Sequence, residues 1–178
     1  MRSIPLKIRR KARRIKLLLL DVDGVLTDGG IVITSLGEEV KRFDVRDGLG
    51  IKLWLQSGYQ VGILTSRSSP ALRYRARELG IRMVYQKVSN KAEAYKKIKG
   101  KTGLTDSEIA YVGDDIVDLP VLKRVGLAVA VKDAAGDLKG KVDFLTRRSG
   151  GRGAVREVVE VILQAQGRWQ ELLREYSK

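Results

Sequence analysis

Asp21 and Asp23 stand one residue apart where an apolar run, Leu17-Leu18-Leu19-Leu20, stops. In an extended chain that spacing sends both carboxylates to one side, and Gly24 lets the backbone turn where a side chain would obstruct it. Two later apolar stretches end in the same manner. Tyr59 to Leu64 gives onto Thr65-Ser66-Arg67, and Ile109 to Val112 gives onto Gly113-Asp114-Asp115-Ile116-Val117-Asp118. If the three stretches are neighbouring parallel strands, their ends converge and Asp21, Asp23, Thr65, Asp114, Asp115 and Asp118 share one edge. Five carboxylates crowded together raise one another's pKa, so a cation is expected among them. With only oxygen ligands on offer, Mg2+ is favoured over softer metals. Asp and Gly are also ordinary turn residues, so the set carries the argument and no single member does.

The elements that must position these groups alternate. Four leucines between Lys16 and Asp21 suit a central strand covered on both faces. Gly29 to Ile33 and Val40 to Phe43 flank Ser35-Leu36-Gly37-Glu38 and read as a projecting β-hairpin. A helix follows Asp44 and is ended by Ser57-Gly58; another, opened by Ser69-Pro70, is stopped by Gly80. Ile81 to Tyr85 reads as a short strand, and Lys91 to Ile98 as a basic amphipathic helix broken over Gly100 to Gly103. Thr105 to Glu108 has capping-box spacing. Beyond Asp118 come a short helix, strands at Leu127 to Val131 and Val142 to Leu145, the glycine-rich Arg147 to Gly153, and a helix marked by Val155, Val158, Val159, Ile162 and Leu163. The fold class expected is α/β, a doubly wound parallel sheet forming a single domain over residues 1–178, with a basic N-terminal arm over 1–15 and a glycine-rich tail and C-terminal helix over 147–178.

Composition narrows the chemistry. The 178 residues include no His and no Cys, which excludes thiol nucleophiles, disulfides, thiolate zinc sites and His-dependent triads. The net charge of +14 raises an RNA-binding or scaffold role as a rival reading. Much of that surplus is local, in Arg2, Lys7, Arg9, Arg10, Lys11, Arg13, Arg14 and Lys16, with no aromatic residues interleaved as a single-strand binder would want. A positive N-terminus before leucines has the outline of a secretory signal, but the apolar run is only four residues long. A cytoplasmic location is the expectation, with no membrane partner and nucleic acid disfavoured.

Asp21-x-Asp23-Gly-Val-x-Thr27, Thr65 after an apolar strand, Lys91, and Gly113-Asp114-Asp115-x-x-Asp118 together resemble, in order, the four motifs of the haloacid dehalogenase-like phosphohydrolases. The resemblance implies that Asp21 is a nucleophile forming an aspartyl-phosphate and that Asp23 is a general acid and base. It implies that Asp21, the main-chain carbonyl of Asp23, and Asp114 bind Mg2+, and that Thr65 and Lys91 hold phosphoryl oxygens. Asp115 and Asp118 would orient Lys91 and metal-bound water. The intervals between the motifs leave no room for a cap domain. Val45-Arg46-Asp47-Gly48 and Gly150 to Glu157 are similar to the capless subgroup of 3-deoxy-D-manno-octulosonate 8-phosphate phosphatases of lipopolysaccharide synthesis. That subgroup implies a homotetramer built on the hairpins, with the glycine-rich tail reaching a neighbour's site. It also implies a sugar-acid phosphate substrate met by Asp23, Asp44, Val45, Arg46, Asp47, Gly48, Lys52, Ser66, Arg67, Arg75, Lys91 and Arg152. Lys52 stands where an arginine is expected, so a bidentate contact is lost there. A phosphatase of nine-carbon sialic-acid-type 9-phosphates shares the scaffold and is the close alternative.

Overall fold

The computed structural model describes residues 4–177. Its centre is β1 (Leu17–Leu20), buried at every residue. It lies parallel between β4 (Gln60–Leu64) and β6 (Ile109–Gly113), with Leu17 level with Gln60 on one side and Ile109 on the other. β5 (Met83–Tyr85), β7 (Leu127–Ala130) and β8 (Phe144–Leu145) complete a six-stranded sheet in the order β5-β4-β1-β6-β7-β8, every pair parallel. From β1 the chain fills one side of the sheet and then returns to β6 on the other. That reversal opens a crevice beyond the carboxyl ends of β1 and β6, the place where such sheets bind ligands.

A separate antiparallel hairpin, β2 (Val32–Ile33) with β3 (Glu39–Val40), leaves the end of β1. It is shorter than the alternating pattern suggests, and Ile31, Val32, Ile33, Leu36 and Val40 are exposed on it. The helices are α2 (Val45–Gln56), α3 (Pro70–Leu79), α4 (Lys91–Thr102), α5 (Leu119–Leu122), α6 (Ala154–Ala165) and α7 (Trp169–Glu175). Asp44 caps α2 by accepting from the Arg46 amide, and Asn90 caps α4 by accepting from the Glu93 amide. Gly100 does not break α4, which runs on to Gly103 at φ +68°, where a left-handed residue ends it. Ser69 offers α3 no capping bond; its own amide is taken by the Gln86 side chain at 2.8 Å. The Thr105 capping box closes on a 3-10 turn, Asp106–Glu108, rather than an α-helix.

Both ends of the chain are packed more closely than their composition suggests. Part of the basic N-terminal stretch is a helix, α1 (Leu6–Ala12), that buries Ile8 and Ala12. The Gln166 amide donates to the carbonyls of Ala12 and Ile15, and the Arg13 guanidinium donates to that of Ala165. Arg2 lies outside the described residues. The glycine-rich segment is also packed on its own chain. The Gly151 amide donates to the Val25 carbonyl of its own chain at 2.9 Å, and α6 buries Val155, Val158, Val159, Ile162 and Leu163. An apolar stripe of that extent gains more by covering the core than by remaining in solvent.

Candidate active site

Each of three adjacent strands delivers polar groups to the crevice. Asp21 follows β1 with its amide donating to the Val112 carbonyl at 3.0 Å, so β6 fixes its backbone. Asp21 is 6 % exposed; its Oδ2 meets the Lys91 ammonium at 2.9 Å, while Oδ1 is buried without a hydrogen-bond partner. Lys91 begins α4 and is itself buried, 2.6 Å from Asp118 Oδ1. Tyr111, in mid-β6, donates to the same Asp118 oxygen at 2.5 Å. The amides of Asp114 and Asp115 donate to Asp118 Oδ2 at 2.9 and 3.3 Å. Both oxygens of Asp118 are therefore engaged, although oxygens of Asp21, Asp114 and Asp118 lie within 4.8 Å of one another. The carboxylates with capacity left for a cation are Asp21 and Asp114.

The electrostatics follow from this crowding. Burial first, and then the charge of Asp118, push Asp21 up to about 6 against the pull of Lys91. Burial, followed by Asp21 and Asp118, pushes Asp114 up to about 7. Burial disfavours the Lys91 ammonium, but Asp21 and Asp118 outweigh it and hold its pKa above the ordinary lysine value. A hard divalent cation would supply the charge that these oxygens lack, and an all-oxygen donor set with the unpartnered buried Asp21 Oδ1 fits one. Gly24 is required beside it: at φ +82° a Cβ would sit 2.0 Å from Asp114 Oδ2.

The remaining residues divide between the crevice and its frame. Thr65 is buried after β4, its hydroxyl accepting from the Arg67 amide at 3.3 Å. Asp23 pairs with Lys41 of the hairpin, and its Oδ2 lies 3.5 Å from Arg67 Nε. Ser66 is exposed beside them. Asp115 turns outward to accept from the Ile116 amide and does not meet Lys91. Asp44 pairs with Arg46, whose guanidinium also donates to the Arg152 carbonyl. Arg152 approaches Asp28 at 3.6 Å. Arg75 pairs with Glu78 and passes over the Phe43 ring, Gly48 is buried against Arg75, and Val45 and Lys52 are exposed on α2.

Asp47 has a different task from the one expected of it. It is 1 % exposed and accepts from the amides of Gly153 and Arg156, capping α6 across the fold. Glu157 answers it by accepting from the amides of Arg147 and Arg148. Held at both ends, the glycine-rich loop presses on the loop after β1. A Cβ at Gly150 would lie 1.7 Å from the Gly24 carbonyl oxygen, and one at Gly151 2.4 Å from the Thr27 carbonyl carbon. Sequence reasoning missed Lys41, Glu39, Tyr111 and Glu157. Tyr111 left a signal as a hydroxyl inside the apolar stretch Ile109 to Val112, and Glu157 closes the Gly150 to Glu157 motif without its role being legible.

A family model described as haloacid dehalogenase-like hydrolase matches residues 73–158. The 3-deoxy-D-manno-octulosonate 8-phosphate phosphatase of Escherichia coli (strain B / BL21-DE3) is 48 % identical over 164 residues, 92 % of this chain and 87 % of the relative. The chain belongs to the haloacid dehalogenase-like hydrolases. Among solved structures, this hydrolase is similar to the phosphatase of that name from Yersinia pestis, with TM-score 0.93, 44 % identity, and coverage of 94 % of this chain and 90 % of the other. It is also similar to the one from Moraxella catarrhalis, solved with a magnesium ion, a phosphate ion and a KDO molecule: TM-score 0.95, 39 % identity, coverage of 97 % and 99 %. No cap domain is inserted between β1 and β4, where the hydrolase has only the hairpin and α2.

Proposed function

We propose that the chain is a magnesium-dependent phosphatase releasing phosphate from 3-deoxy-D-manno-octulosonate 8-phosphate. The observation that carries this reading is Asp21: a buried carboxylate at a central strand's end, one oxygen on Lys91 and the other unpartnered. Asp21 attacks phosphorus as the ester P–O bond breaks, and Asp23 gives a proton to the departing alkoxide. Water then attacks phosphorus, Asp23 takes its proton, and the Asp21–phosphorus bond breaks. Asp21, Asp114 and the main-chain carbonyl of Asp23 would hold Mg2+, which when bound screens the phosphoryl charge from the attacking carboxylate. Lys91 and Thr65 hold phosphoryl oxygens, and Asp118 with Tyr111 positions Lys91. Arg67, half-exposed at the mouth, has the fork to take the sugar's carboxylate.

The same reading includes cytoplasmic action in lipopolysaccharide synthesis and a homotetramer. An isolated two-stranded ribbon is marginal, and the exposed Ile31, Val32, Ile33 and Leu36 support its assembly with copies of itself. A phosphate-release screen over sugar phosphates, with Mg2+ and with chelator, tests the reaction. Chelator-sensitive release is expected, fastest from the eight-carbon sugar acid 8-phosphate. Faster turnover of a nine-carbon sugar acid 9-phosphate would reject the substrate, and no metal-dependent release would reject the enzyme.

A further inference from the structure

The hairpin aims two opposite charges at the crevice. Residues 39 and 41 of an extended strand share a face, so Glu39 and Lys41 point inward while Val40 between them stays exposed. The Lys41 side chain is only 3 % exposed, pairing with Asp23 and lying 3.4 Å from Glu39. Arg67 completes a ring: its Nη2 meets Glu39 at 2.5 Å and its Nε lies 3.5 Å from Asp23. Two cations and two carboxylates thus neutralise one another, Lys41 to Asp23 to Arg67 to Glu39 and back to Lys41. The fork best placed to bind a carboxylate already holds one from its own chain.

We propose that Glu39 is a specificity-determining residue, an internal ligand of Arg67 that the substrate's carboxylate displaces. This rests on the sugar-acid reading given above. An anionic substrate exchanges one carboxylate for another on the guanidinium, so little charge is left unpaired. A phosphomonoester without a second anion has nothing to offer Arg67 and leaves Glu39 in place. Lys41 gives the displaced Glu39 a cation to return to, at the 3.4 Å they already share. Selection is thereby exerted against neutral esters as well as in favour of acidic ones.

The test is competitive inhibition of the magnesium-loaded enzyme, assayed on p-nitrophenyl phosphate, by the free eight-carbon sugar acid and by inorganic phosphate. Glu39→Gln is expected to tighten inhibition by the free acid about fivefold, the scale of one solvent-accessible ion pair, while phosphate inhibition moves less than about twofold. Arg67→Gln is expected to weaken inhibition by the acid about tenfold, and adding Glu39→Gln to it should then give no tightening. An inhibition constant for the acid that is unchanged or raised in Glu39→Gln overturns the proposal, as does an unchanged constant in Arg67→Gln. The phosphate constant certifies that each variant keeps its site. Wild-type hydrolysis of the sugar-acid phosphate is measured alongside: its absence rejects the substrate reading, whereas its presence with an unshifted Glu39→Gln rejects this inference alone.

Discussion

Asp118 accepts from Lys91, Tyr111 and two backbone amides, and so decides where the Lys91 ammonium stands. Tyr111→Phe keeps the ring and removes one of those donors. Turnover is expected to fall about three- to tenfold with KM little changed, a split that steady-state kinetics resolves. Gly24→Ala is expected to raise the Mg2+ concentration for half-maximal activity at least tenfold, because the new Cβ displaces Asp114. Metal titration of activity reads that shift, and unchanged metal dependence would remove Asp114 from the metal's ligands. The acids themselves were legible in sequence because each follows an apolar run at a strand's end. The ring of Glu39, Lys41, Asp23 and Arg67 was not, since it depends on how far the hairpin folds back over β1, an angle that no local spacing encodes.

Among the elements, α6 is held by two buried carboxylates, Asp47 of α2 and its own Glu157. Asp47→Ala leaves the amides of Gly153 and Arg156 without an acceptor, which costs about 1–3 kcal/mol per buried donor. Burial, partly offset by those amides, pushes Asp47 up to about 6 from an ordinary 3.8. The folded state therefore binds more protons than the unfolded state between those values, and the contribution of Asp47 to stability falls as pH rises through that window. Denaturant unfolding of wild type and Asp47→Asn is expected to show the wild type's advantage shrinking from pH 4 to pH 7; an advantage that grows would reverse the sign. Periodicity found every strand of the main sheet within a few residues of its place. It missed α1, because a seven-residue helix dense in Lys and Arg shows little apolar pattern and is stabilised by packing on α6. Val45 to Gly48 was legible as a motif but not in its role, since what Asp47 caps lies 106 residues away.

At the scale of the whole molecule, the sheet and its switch point follow from alternating apolar runs, while the placement of the C-terminal third does not. Residues from Gly150 onward read as a tail, yet they close the core and brace the loop after β1. Deleting them is expected to unfold the chain rather than leave an altered enzyme, which loss of a cooperative thermal transition would display. The hairpin is the reverse case, built outward with apolar residues uncovered. Val32→Lys with Leu36→Lys is expected to yield smaller species by sedimentation while circular dichroism stays native. Sedimentation unaffected by these charges would take the hairpin out of the assembly.

The central claim is that phosphorus is joined covalently to Asp21 during turnover. Acid-quenching the magnesium-loaded enzyme with saturating substrate, then digesting with trypsin, puts that residue in the peptide from Leu17 to Lys41. One phosphoryl group on this peptide is expected, borne by Asp21 and absent from Asp21→Asn. Phosphate released at the full rate with the peptide unmodified, or with the group on another residue, would contradict it.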